Sequence, residues 1–141
     1  MKIGIDIHGC IDLYPQIFSK LSQDWIEKGH EVFILTGQEW DNAKLIVDKA
    51  GVHYNHYFSI IDHHRKLETP MYNRSDKCGW WMKESLWMRS KGDYALCVGL
   101  DLHFDDDADY AKYFPKTCTF VLVPKNNFDM FYYKILSRRS K

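Results

Sequence analysis

Apolar and polar positions along the chain follow two rhythms, one suited to buried strands and one to half-buried helices. Ile3 to Ile7 is an apolar run broken only by Gly4 and Asp6, the pattern of a strand covered on both faces, and it ends in the polar pair His8-Gly9. Leu13 to Lys28 carries Leu13, Ile17, Phe18, Leu21, Trp25 and Ile26 at three- and four-residue spacings, which predicts a helix stopped by Gly29. Glu31 to Thr36, reading EVFILT, predicts a second buried strand, and Gly37 permits a sharp turn after it. A helix follows from about Trp40 to Ala50, with Ala43, Ile46 and Val47 on one side and Gly51 as its stop. Tyr57 to Ile61 reads as the third strand.

From Asp62 to Gly79 no period emerges, and Pro70, Asn73 and Ser75 favour turns, so this stretch is expected to leave the core as an excursion. Trp80 to Met88 predicts a helix, and Ser90 is expected to cap a further one from Lys91 to about Val98, stopped by Gly99. A strand at Leu100 to Phe104, a short helix around Ala108 to Phe114 and a last strand at Thr117 to Val123 complete the pattern. Alternation of strand and helix predicts a Rossmann-like three-layer α/β/α sandwich with a mainly parallel sheet. One domain is expected over residues 1–125, followed at 126–141 by a basic tail carrying Lys134, Arg138, Arg139 and Lys141.

Composition narrows the partners. The chain has 141 residues, 45% of them hydrophobic, enough for one core without metal or disulfide staples. Nineteen basic residues balance nineteen acidic ones, so no global field draws the protein to nucleic acid or to an anionic membrane. The basic tail reads as a solvated terminus. The N-terminal apolar run is too short for a signal peptide and nothing approaches a span of ~20 apolar residues, so a cytoplasmic address is expected. Cys10, Cys78, Cys97 and Cys118 form no CxxC pair, which suits reduced thiols, and Cys10 reads as a small loop filler.

In open parallel sheets ligands bind at the carboxyl ends of the strands, which directs attention to Asp6, Thr36 and Asp105. They are a carboxylate, a hydroxyl and the first of a run of acids, a set suited to phosphoryl transfer. Carboxylates from separate strands can share a hard cation, and magnesium tolerates water and phosphate in the rest of its shell. A metal and a lysine then neutralise the charge on the transferring group.

These residues resemble the haloacid dehalogenase-like phosphatases of the small, capless type. The opening motif of that family, a strand ending in Asp-x-Asp-Gly, stands here as IGIDIHGCID; its second, a strand ending in Thr or Ser, as EVFILTG; its fourth, a strand ending in paired Asp, as LHFDD. For the lysine of the third motif the best match is Lys91, at the head of the helix leading into the acidic strand, with Lys77 and Lys83 as weaker candidates. The resemblance implies that Asp6 is a nucleophile forming an aspartyl-phosphate and that Thr36, Gly37 and Lys91 bind the phosphoryl group. It also implies magnesium held by Asp6, Asp105, Asp106 and the backbone carbonyl of His8. The implied substrate is a phosphomonoester, with nucleotides and phosphorylated polynucleotide ends among the candidates.

The family has a second Asp where this chain has His8. That Asp protonates the leaving oxygen and then activates water, and a histidine is chemically able to do both near neutral pH. The alternative is a relic that binds magnesium or phosphate without turnover. Asp62-His63-His64 also matches the short signature of a manganese-dependent phosphoesterase family, whose further early acids have no counterpart in the expected order. Trp80, Trp81 and Trp87, with Tyr72, read at helical spacing as packing between the excursion and the core, with stacking on a nucleobase as the sharper alternative.

Overall fold

The computed structural model describes residues 1–74 and 79–125. The basic tail, Ser75, Lys77 and Cys78 therefore lie outside the described residues. Five strands, β1 (Lys2–Ile5), β2 (Glu31–Thr36), β3 (His56–Ser59), β6 (Leu102–Asp105) and β7 (Thr119–Leu122), form one sheet in the order β3-β2-β1-β6-β7. Every pairing in it is parallel. The remaining strands, β4 (Met71–Arg74) and β5 (Gly79–Met82), make a separate antiparallel pair. Helices α1 (Pro15–Glu27), α2 (Trp40–Ala50), α3 (Ile60–Lys66) and α4 (Glu84–Val98) are joined by a short 3₁₀ helix at Ala108–Tyr113. Among the described residues no helix is long and apolar enough to cross a membrane.

Side-chain alternation along the strands builds two cores. Ile3, Ile5, Val32, Ile34 and Phe104 face α1 and α2, where they pack with Phe18, Leu21, Ala43 and Val47. Phe33, Leu35 and Phe58 face the other way, against Trp87 and Ala95 of α4 and Phe114 after the 3₁₀ helix. The result is the expected Rossmann-like three-layer sandwich. The strand order reverses at β1, so the gap between the carboxyl ends of β1 and β6 is the switch point where ligands of such sheets bind.

Three expectations are corrected. The apolar run at Tyr57 to Ile61 is a strand only to Ser59; Ile60 and Ile61 already belong to α3, whose first turn is capped by the Ser59 hydroxyl accepting from the Asp62 N–H at 3.1 Å. A short apolar run looks the same whether it is buried as strand or as helix. The expected excursion is thus α3 followed by β4, and β5 takes Gly79 to Met82, where a helix was expected, because Trp80 and Trp81 suit a paired strand. Finally, Glu84–Val98 is one continuous helix. Ser90 does not cap it but sits within it, donating back to the Leu86 carbonyl, and Lys91 lies in mid-helix rather than at a helix head.

Gly92 explains why this helix tolerates a glycine. A Cβ there would lie 2.1 Å from the Tyr113 carbonyl oxygen, so the missing side chain lets α4 meet the 3₁₀ segment backbone to backbone. That contact holds the middle of α4, and hence Lys91, against the end of β6.

Candidate functional site

Asp6 follows the last residue of β1, its N–H donating to the Phe104 carbonyl at 2.9 Å, and Ile5 is level with Phe104 in the register. Asp6 and Asp105 are therefore side by side at the carboxyl edge. Lys91 reaches them from α4, its ammonium donating to Asp6 Oδ1 at 3.0 Å and to Asp105 Oδ2 at 2.9 Å. Asp6, Lys91 and Asp105 are 6%, 2% and 0% exposed, so two acids and one cation share a desolvated pocket.

Position and charge set the ionisation of each group. Burial pushes Asp6 up to about 7, opposed by Lys91 and reinforced by Asp105. For Asp105 burial also acts upwards, but Lys91 and a hydrogen bond from His103 override it and hold the carboxyl well below its usual range. Burial alone would lower Lys91; the two carboxylates win and hold its ammonium far above the ordinary value. Asp106 is raised by burial and then by Asp105.

The third acid completes a cluster. Asp6, Asp105 and Asp106 each offer a carboxylate oxygen, and the three atoms lie within 4.8 Å of one another. Gly9 gives Asp106 its room: with φ of 76°, its absent Cβ would lie 2.2 Å from Asp106 Oδ2. The loop after β1 is thereby laid against the acid cluster, which brings His8 to its rim. The His8 side chain is exposed and contacts Asp12, Nδ1 to Oδ2 at 3.3 Å.

Thr36 is fully buried at the end of β2, two positions past Ile34, the register partner of Ile5. Its hydroxyl oxygen accepts from the Gln38 N–H at 3.1 Å and leaves its proton free to donate. Gly37 lies against Trp87, where a Cβ would be 2.6 Å from the ring. Asp6, Lys91, Asp105 and Asp106 are thus brought together, His8 stands at the rim, and Thr36 with Gly37 occupies the same sheet edge one strand away.

Several residues that hold this arrangement were not expected. His103 faces the same side of β6 as Asp105, is fully buried, and donates from Nε2 to Asp105 Oδ2 at 3.1 Å. Burial lowers its pKa against the pull of Asp105, which favours the neutral ring. Gly4, its partner across β1, makes the space: a Cβ there would be 2.6 Å from His103 Nδ1. The two-residue alternation in LHFDD carried this signal. Tyr110 closes the other side, its ring 4.7 Å from the Lys91 ammonium and its hydroxyl accepting from Trp87 Nε1 at 2.9 Å.

Other candidates turn out structural. Asp62 Oδ2 accepts from the Trp40 N–H at 2.9 Å and so caps α2. Buried His64 donates from Nε2 to Ser90 Oγ and accepts at Nδ1 from the Thr69 hydroxyl, both at 2.9 Å, tying α3 to α4. Neither joins the acid cluster. Cys10 is fully buried, and burial together with Asp6 and Asp105 pushes its thiol far up, so it is an inert filler. Trp81 stacks on Trp87 with centroids 4.2 Å apart, packing β5 onto α4. Asp107 accepts from the Asp109 N–H at 2.9 Å and caps the 3₁₀ helix.

Comparison with known proteins adds nothing to this geometry: no family, curated protein or solved structure matches the chain.

Proposed function

We propose that this protein is a magnesium-dependent phosphomonoester hydrolase of the haloacid dehalogenase-like kind, with Asp6 as nucleophile. The observation that carries the reading is the single Lys91 ammonium clamped between Asp6 and Asp105 at the switch point of the sheet. An attacking carboxylate needs a fixed aim and a neighbouring cation, and both are supplied here.

The residues also fit magnesium. Three carboxylates offer oxygens within 4.8 Å of one another, the donors are hard, and Gly9, lacking a side chain, lets Asp106 join the other two. Asp6, Asp105, Asp106 and the His8 carbonyl are the groups that would hold it. When bound, it would draw charge from the phosphoryl oxygens and keep Asp6 ionised.

In the reaction, an Asp6 oxygen forms a bond to phosphorus while the ester P–O bond breaks and its electron pair stays on the leaving oxygen. His8, as imidazolium, gives that oxygen a proton. The neutral ring then takes a proton from the water that attacks the aspartyl-phosphate, which frees phosphate and restores Asp6. Lys91 holds Asp6 in line and offsets the charge of the phosphoryl group. Thr36 and the Gly37 backbone line the adjoining edge as further phosphate contacts. Substrates are phosphomonoesters small or slender enough to reach an edge site, nucleotides included, and the site is expected to work in the cytoplasm.

Hydrolysis of p-nitrophenyl phosphate and a nucleotide panel, with magnesium and with EDTA, tests this. Turnover should need magnesium and vanish in Asp6→Asn, whose amide is nearly isosteric but a poor nucleophile. Magnesium binding without turnover would favour a non-catalytic relic.

A further inference from the structure

Resting on the proposed reaction, we infer that Asp12 is a positioning residue that converts His8 into an oriented acid-base group. The five-residue loop Ile7–Ile11 is closed by Asp12 three times over. Its N–H donates to the Ile7 carbonyl at 3.1 Å, its Oδ1 accepts from the Gly9 N–H at 2.7 Å, and its Oδ2 meets His8 Nδ1 at 3.3 Å. A surface ion pair between two mobile side chains fixes nothing. Here one carboxylate oxygen is anchored to the backbone, so the other is a stationary acceptor.

That acceptor dictates where the histidine proton sits. An ionised carboxylate only accepts, so in the neutral ring Nδ1 must carry the proton and Nε2 is left bare. Nε2 is then the atom that gives a proton to the leaving oxygen and takes one from water. His8 breaks the helical turn with φ −71° and ψ 127°, and the next residue, Gly9, lies against Asp106. Contacts of this kind in substrate-free sites are commonly long and shorten when substrate binds.

Asp12→Asn separates this role from loop closure. The amide oxygen still accepts from Gly9, but its nitrogen now donates to Nδ1, forcing the proton onto Nε2, the wrong tautomer for a base. Nitrogen-15 spectra of the neutral His8 ring should show the proton on Nδ1 in the wild type and on Nε2 in the variant. In single turnovers with magnesium, alcohol release from glycerol 2-phosphate should fall about 100-fold, because the amide N–H facing Nδ1 opposes the imidazolium form and a neutral ring gives up its Nε2 proton poorly to a departing alkoxide. Release of p-nitrophenol, a good leaving group, should fall only a few-fold. A wild-type ring protonated on Nε2, or equal losses for the two esters, would overturn the inference. Absence of phosphate release from the wild type with either ester would instead overturn the phosphatase reading and the catalytic part of Asp12, while the spectra would still decide the orientation.

Discussion

When Asp6 and Asp105 are both ionised, Lys91 leaves their pocket one negative charge in excess. Asp6 yields: its folded pKa of about 7 stands above the ordinary 3.8. An acid raised in this way binds more protons folded than unfolded, so its contribution to stability is full below about pH 4 and is lost as pH rises towards 7. Asp6→Asn, which keeps one acid to one cation, should therefore stabilise the metal-free protein by about 1–2 kcal/mol at pH 8 and by less at pH 5. Urea denaturation of both proteins at the two pH values measures this, and comparing them cancels the histidines. Magnesium uptake should release a proton below pH 7 and tighten as pH rises, because only ionised Asp6 is a ligand; calorimetry in buffers of different ionisation heat reads the proton directly. Removing the cation has the opposite sign. Lys91→Met strands two buried carboxylates and should cost about 3 kcal/mol at pH 7, seen as a lower urea midpoint.

At the scale of elements, α4 is the part that aims the site. Its approach to the 3₁₀ segment depends on Gly92, so Gly92→Ala should destabilise the fold by about 2–3 kcal/mol and, with it, weaken the phosphate binding proposed for Lys91. Thermal melts and phosphate titration of the variant check the pair of effects. This element also marks the limit of what the sequence discloses. The strands ending in Asp6, Thr36 and Asp105 were legible because buried parallel strands are apolar runs, and a polar residue at such an end is conspicuous. The course of α4 was not. Ser90 and Gly92 look like helix punctuation, and only the contacts of Ser90 with His64 and of Gly92 with Tyr113 explain their place inside a helix. His103 was legible in part: the alternation in LHFDD puts it on the face of Asp105, but its room beside Gly4 across the sheet is a long-range contact that no local pattern records. Lys91 meets Asp6 and Asp105 although it lies in mid-helix, where the sequence suggested a helix head.

For the whole molecule, the sheet order brings Asp6 and Asp105, 99 positions apart in sequence, to one edge, where one long helix adds Lys91. A cluster of acids held together without a divalent cation is under electrostatic strain, so a saturating ion should stabilise the fold. At about 100 times its dissociation constant, magnesium should add about 2.7 kcal/mol, read as a higher melting temperature that EDTA reverses and that Asp6→Asn blunts. The most direct test of the central claim is to mix the protein with p-nitrophenyl phosphate and magnesium, quench in acid within the first turnover, and locate the phosphoryl group by mass spectrometry. The phosphoryl group is expected on the peptide that carries Asp6, and on none in Asp6→Asn. Release of p-nitrophenol and phosphate with no protein-bound phosphoryl group, or with one at another residue, would contradict the nucleophilic role of Asp6.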